Sequence, residues 1–247
     1  MFIEIPNSDR GTMAPPKFIY LVRHGQSQAN VNHDLLKTVP DWKVALTEQG
    51  RQQAADAGRF IRDDIIKEFP KDLYLPAMAA YCSPYKRTQE TLHHISERVN
   101  DPRCNAPSKQ YINGWSIKYD PRIREQDWGN YKDAEGAKKI EDERDKFGTF
   151  FYRIPDGESG ADVYDRLSSF MDTLWRDFEK KEFPRVCMIV THGLTMRLFV
   201  MRWLHMSVEE YECMQNPMNC EVWRISKVDG GKWHLDTQIR KKYTSPH

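Results

Sequence analysis

The sequence predicts an α/β protein: three layers, α/β/α, with helices on both faces of a mostly parallel central sheet. Three observations carry that expectation. Short apolar runs of strand length alternate along the chain with longer segments of helical period. The run "RVCMIVTHG" is apolar from Val186 to Val190, which suits a strand covered on both faces. The chain has 247 residues, 39% hydrophobic and 12% aromatic, enough for one large domain with a sizeable core.

The elements follow in order. Residues 1–16 read as a flexible N-terminal extension, because Gly11, Pro15 and Pro16 break any period and no apolar stretch of signal-peptide or spanning length occurs. Residues 17–247 then form a single domain. "KFIYLVR" is its first buried strand and stops against Arg23-His24-Gly25. "LTEQGRQQAADAGRFIRDDIIKEF" is a helix capped by Thr47, with Ala54, Gly58, Ile61 and Ile65 on one face. "AMAAYCS" is a second strand and "YKRTQETLHHISERV" the helix after it.

Residues 100–121 carry Pro, Gly and Asn without a clear period and are expected to run over the surface, within a cap insertion at about 95–120. "DPRIREQDWG" reads as strand to turn. "DAEGAKKIEDERDKFGTFFYR" is a charged helix ending in aromatics, part of a second cap insertion at about 131–157. Ser159 and Asp162 make a capping box for a helix with Val163, Leu167, Phe170, Met171, Leu174 and Phe178 at its apolar positions. Beyond "RVCMIVTHG", "LTMRLFVMRWL" and "VEEYECM" are helices. "CEVWRISK" and "KWHLDTQ" are late edge strands through which a homodimer could pair.

Thirty-seven Lys and Arg against 36 Asp and Glu give a net charge of +1, which argues against nucleic acid or a membrane surface as partner. Cys82, Cys104, Cys187, Cys213 and Cys220 are odd in number and form no CxxC pair. They read as reduced thiols of a cytoplasmic protein. His93 and His94 beside Glu97 read as helix surface, since no further ligand accompanies them.

Chemistry gathers at strand ends. "LVR" runs into His24-Gly25 and "IVT" into His192-Gly193, while "PYKRT" and "PRIREQDWG" deliver Arg87 and Glu125. In open α/β sheets the ligand crevice lies at the carboxyl ends of strands, so these groups are expected at one rim. Two guanidiniums offer forked donors for phosphate oxygens. An imidazole between them stays neutral, since cations disfavour its charged form, and is then a competent nucleophile toward phosphorus. Glu125 can protonate the leaving oxygen and later take a proton from water. With this set no metal or other cofactor is required.

At this point "RHGQSQAN", "LTEQGRQQA", "SPYKRTQET", "PDGES" and "VTHG" together resemble, in order, the blocks of the histidine phosphatase superfamily, the phosphoglycerate mutase-like proteins. The resemblance runs from about residue 18 to about residue 205. It implies that His24 is the phosphorylated nucleophile, Arg23 and Arg87 the phosphate clamp, His192 the second imidazole, Asn30 a further phosphate contact and Glu125 the proton donor. Where the glycolytic mutases place an arginine and a tyrosine after the acid, this chain has Gln126 and Trp128, with Asp127 between. That loss of a charge-assisted clamp favours water as acceptor. The expected activity is hydrolysis of a small phosphorylated metabolite. A cofactor-dependent mutase, a sugar bisphosphatase and a catalytically idle binding protein are the alternatives.

Overall fold

The computed structural model describes residues 15–72, 75–100, 114–130, 134–228 and 231–242. The expected N-terminal extension lies almost wholly outside them, as do Cys104 and the middle of the first expected insertion.

β1 (Phe18–Arg23) leads into a short α1 (Gln28–Val31) and two 3-10 turns, His33–Lys37 and Asp41–Lys43. Then come α2 (Glu48–Glu68), β2 (Met78–Cys82), α3 (Lys86–Val99) and β3 (Trp115–Tyr119). A 3-10 turn at Pro121–Ile123 precedes α4 (Ala134–Phe147) and α5 (Gly160–Phe178). The chain closes with β4 (Val186–Thr191), α6 (Gly193–Trp203), α7 (Val208–Glu212), β5 (Val222–Lys227) and β6 (Trp233–Leu235).

The six strands form one sheet in the order β3-β2-β4-β1-β5-β6. β3, β2, β4 and β1 are mutually parallel, and β5 joins β1 antiparallel. Alternation along each strand sorts the core into two layers. Ile19, Leu21, Tyr81, Cys187 and Ile189 pack toward α5 and α6, against Leu167, Phe170 and Phe199. Phe18, Tyr20, Val22, Met188 and Val190 pack toward α2 and α3, against Ile61, Ile65 and Ile95. The three-layer expectation is met. Among the described residues no helix is long and apolar enough to cross a membrane.

Four local expectations need correction. Residues 115–119 are not a surface excursion but the outermost parallel strand. Their mostly exposed side chains leave no apolar pattern to read. Likewise residues 95–99 complete α3, so neither end of the expected 95–120 insertion departs from the sheet and its covering helices. "DPRIREQDWG" contains no strand, because Asp120 accepts from the Arg122 amide and Pro121 opens a 3-10 turn instead. Finally β5 is not an edge: β1 flanks it on one side and β6 on the other.

Candidate active site

Register places the two imidazoles. Arg23 pairs with Thr191 at the ends of adjacent parallel strands, so the next residues, His24 and His192, emerge side by side. Their rings meet edge to face at 5.2 Å, and the His24 amide donates to Thr191 O at 3.0 Å. Both are buried. Gly25 then turns beneath α2. A Cβ on Gly25 would lie 2.4 Å from Gly50 O, and one on Gly50 would lie 2.1 Å from Gln26 O. The backbones touch because both residues are glycine. Gly25 also donates its amide to Thr91 Oγ1 at 3.0 Å.

His24 Nδ1 lies 2.7 Å from Gly25 O. A carbonyl only accepts, so in the neutral ring Nδ1 carries the hydrogen and Nε2 keeps the lone pair. Burial, then Arg87 and Arg23, hold the His24 pKa well below the ordinary 6.5. His192 is lowered the same way, again chiefly by burial. Its Nε2 meets Ser83 Oγ at 2.8 Å and Tyr85 packs edge-on at 5.1 Å. His192 Nδ1 stands 3.5 Å from Glu125 Oε2 and is a buried atom without a hydrogen-bond partner. Arg23 repeats that pattern: Nη1 donates to Pro217 O at 2.6 Å, whereas its buried Nε has no partner. Buried polar atoms are rarely left so. Two orphans at one rim mark where an oxyanion belongs.

Arg87, at the start of α3, is buried against the cavity wall and paired with Asp41 of the second 3-10 turn. Glu125 follows the Pro121–Ile123 turn. Burial raises its pKa above 4.5 despite Arg87, so it holds its proton further toward neutrality than an ordinary glutamate. Arg166 of α5 fixes this loop: Nη1 donates to the carbonyls of Arg122 (2.6 Å) and Arg124 (3.0 Å), and Nη2 to that of Glu125 (3.1 Å). Glu158 binds both Arg166 (3.0 Å) and Arg124 (2.6 Å).

Asn30 forms with Ser27 the capping box that opens α1, its oxygen accepting from the Ser27 amide at 3.0 Å. The residue lines the same cavity, of about 490 Å³, as Arg23, His24, Arg87, Glu125 and Trp128. All six expected site residues therefore converge, with His192 walled in beneath. Ser83, Thr91, Asp41 and Arg166 are additions that sequence reasoning missed. Ser83 and Thr91 lie inside the quoted block "SPYKRTQET", but nothing in the string says which imidazole or amide a hydroxyl will meet. His24, Glu125 and His192 also bring donor atoms within 4.8 Å of one another, a spacing a metal ion accepts. The adjacent guanidiniums of Arg23 and Arg87 repel a second cation there and suit an anion better.

The arrangement resembles that of known proteins. A family model described as histidine phosphatase superfamily (branch 1) matches residues 19–239. The phosphoglycerate mutase-like protein AT74 of Arabidopsis thaliana is 39% identical over 89% of this chain and 68% of its own length. The broad-range acid phosphatase DET1 of Saccharomyces cerevisiae is 30% identical over 85% of each chain. A mycobacterial glucosyl-3-phosphoglycerate phosphatase of known structure matches with a TM-score of 0.63 over 91% of this chain and 99% of that one. At 20% identity its likeness speaks for the fold.

Proposed function

The chain belongs to the histidine phosphatase superfamily, branch 1, and from that premise we propose that it is a metal-independent phosphomonoester hydrolase acting on a small phosphorylated metabolite through a phosphohistidine at His24. The observation that carries this reading is the buried His24 ring, Nδ1 tied to Gly25 O and its charged form disfavoured by burial, Arg87 and Arg23, beside two unpartnered buried nitrogens, Arg23 Nε and His192 Nδ1. Phosphoryl oxygens would satisfy both orphans, with Arg87 and Asn30 completing the cradle.

In the first half-reaction His24 Nε2 bonds to phosphorus as the bond to the ester oxygen breaks, and Glu125 passes its proton to that oxygen. Positive charge developing on the ring is met by the Gly25 carbonyl. In the second, water attacks phosphorus, Glu125 takes the water proton, and the bond to Nε2 breaks, releasing inorganic phosphate and neutral His24. Water rather than a sugar hydroxyl is the acceptor in this scheme. Gln126 Nε2 donates inward to Glu158 O at 2.7 Å, so the residue after the acid supplies no charged clamp for a second substrate.

The chain acts here as one catalytic domain over 17–247. A cytoplasmic setting agrees with the free thiols of Cys82, Cys187, Cys213 and Cys220. If it dimerises, β6 is the strand edge available at that end of the sheet. The test is hydrolysis of p-nitrophenyl phosphate in excess chelator. Unchanged turnover by the wild type and none by His24→Ala are expected; loss of activity in chelator would overturn the metal-free scheme.

A further inference from the structure

A count of donors and acceptors around the cavity points to its substrate class. We infer that the site selects phosphomonoesters whose alcohol portion carries no second anionic group, with Asp41 the residue that enforces this. The inference rests on the phosphatase reading and deepens it.

The cavity holds three guanidiniums, of which Arg87 is the most fully engaged. Arg87 Nη1 donates to Asp41 O at 2.9 Å and to Oδ1 at 2.7 Å, and Nη2 donates to Oδ2 at 3.2 Å. Three of its five N–H donors are thereby used, all on the end of the guanidinium. What remains is the Nε–H and one Nη2–H, a single fork that fits one phosphoryl group and no more. Arg23 has given Nη1 to Pro217 O. Arg124 is bound to Glu158 at 2.6 Å. His33 adds an imidazole to the lining, but no further guanidinium or ammonium stands there among the described residues.

The remaining charges have the opposite sign. Asp127 and Glu141 line the same cavity, and among the described residues neither makes an ion pair. Asp41 sits on a turn entered by Pro40 and closed by Lys43 N to Pro40 O at 2.8 Å, which keeps its carboxylate in the wall. Once a phosphoryl group fills the fork, the rest of the ligand meets three carboxylates together with the rings of Tyr85 and Trp128. Hydroxyl or ammonium groups find acceptors there. A carboxylate or second phosphate finds mainly like charge, from Asp127 and Glu141 without ion pairs and from Asp41 beside Arg87, with only the partly engaged Arg124 as a further cation among the described residues.

Glycerol 3-phosphate and 3-phosphoglycerate test this, since they differ mainly in a hydroxymethyl group against a carboxylate. Wild-type kcat/KM is expected to favour glycerol 3-phosphate by about tenfold or more, the scale of one like-charge contact near a protein surface. Asp41→Asn and, separately, Asp127→Asn should each narrow that ratio by about threefold or more. Asp127 touches neither clamp arginine, so its variant keeps the test open should Asp41→Asn disturb Arg87. A wild type that prefers 3-phosphoglycerate, or a ratio unmoved in both variants, overturns the inference. Failure of the wild type to hydrolyse p-nitrophenyl phosphate would instead overturn the phosphatase reading itself.

Discussion

Gly50→Ala is a single added methyl group placed against the nucleophile's turn. Gly50 lies in the first turn of α2, where alanine is the better helix former by about 1 kcal/mol. Propensity alone therefore predicts a more stable protein. The structure predicts the reverse. The new Cβ would stand 2.1 Å from Gln26 O, against about 3.4 Å for an ordinary carbon–oxygen contact. The turn that carries His24 must give way by roughly 1 Å, and overpacking of that kind costs about 1–3 kcal/mol. Displacement of a reacting group by about 1 Å also costs on the order of 100-fold in rate. Denaturant unfolding and p-nitrophenyl phosphate turnover read the two effects separately. The expected variant is folded, less stable by up to about 2 kcal/mol net, and slowed by about two orders of magnitude in kcat. A variant more stable than wild type, with kcat unchanged, would refute the claim that backbone contact between α2 and the Arg23-His24-Gly25 turn sets the position of His24.

Glu125→Gln should slow alkyl phosphates by about 10²–10⁴-fold and aryl phosphates far less, because good leaving groups need little protonation; equal losses would remove Glu125 from the acid role. The raised Glu125 pKa and lowered His24 pKa let the protonated acid and neutral nucleophile coexist on the acid side of neutrality. The wild-type pH–rate profile should fall as Glu125 ionises, and a falling limb that survives in Glu125→Gln would belong to another group. Arg166→Met takes the side-chain donor from the part-buried carbonyls of Arg122 and Glu125, while Arg124 O keeps Thr195 and Glu158 keeps Arg124, so urea midpoints should report a loss of about 2 kcal/mol or more. His24 and His192 have folded pKa values below 6.5, so the unfolded chain binds more protons as pH drops. The contribution of these two rings to stability should therefore be whole above about pH 6.5 and lost as pH falls below it. The raised Glu125 carboxyl acts in the opposite sense, and His24→Asn should flatten the acid-side decline.

The strands that carry the chemistry were legible because both of their faces are covered. β1 and β4 are apolar up to their last residue and β2 throughout, and each runs into polar residues of the site. Alternation of strands with long amphipathic helices was enough for the layer order. β3 was invisible for the opposite reason: as an exposed edge it needs no apolar pattern, and its pairing with β2 is purely a matter of register. Among the named site residues Glu125 reaches the rim from a 3-10 turn, and Asn30 was placed by the family resemblance alone. Arg23, His24, Arg87 and His192 could be placed there because the end of a parallel strand is a fixed address in such a sheet. Their supports could not. The bond from Ser83 to His192 spans 109 positions and the bidentate contact from Arg87 to Asp41 spans 46. Which hydroxyl or carboxylate crosses such a distance depends on how turns pack, and local propensity carries no record of it. Gly50 shows the partial case, since a glycine inside a helical run announces a close approach without naming its partner.

The central claim is that the neutral Nε2 of His24 takes the phosphoryl group from substrate. Rapid alkaline quench of the wild type during turnover of a labelled phosphomonoester, followed by peptide mapping, addresses that bond directly. The account predicts an acid-labile label on the peptide containing His24, formed before phosphate release and missing in His24→Ala. Label on another residue, or steady turnover with no labelled protein at any quench time under conditions where hydrolysis of the intermediate limits the rate, would contradict it.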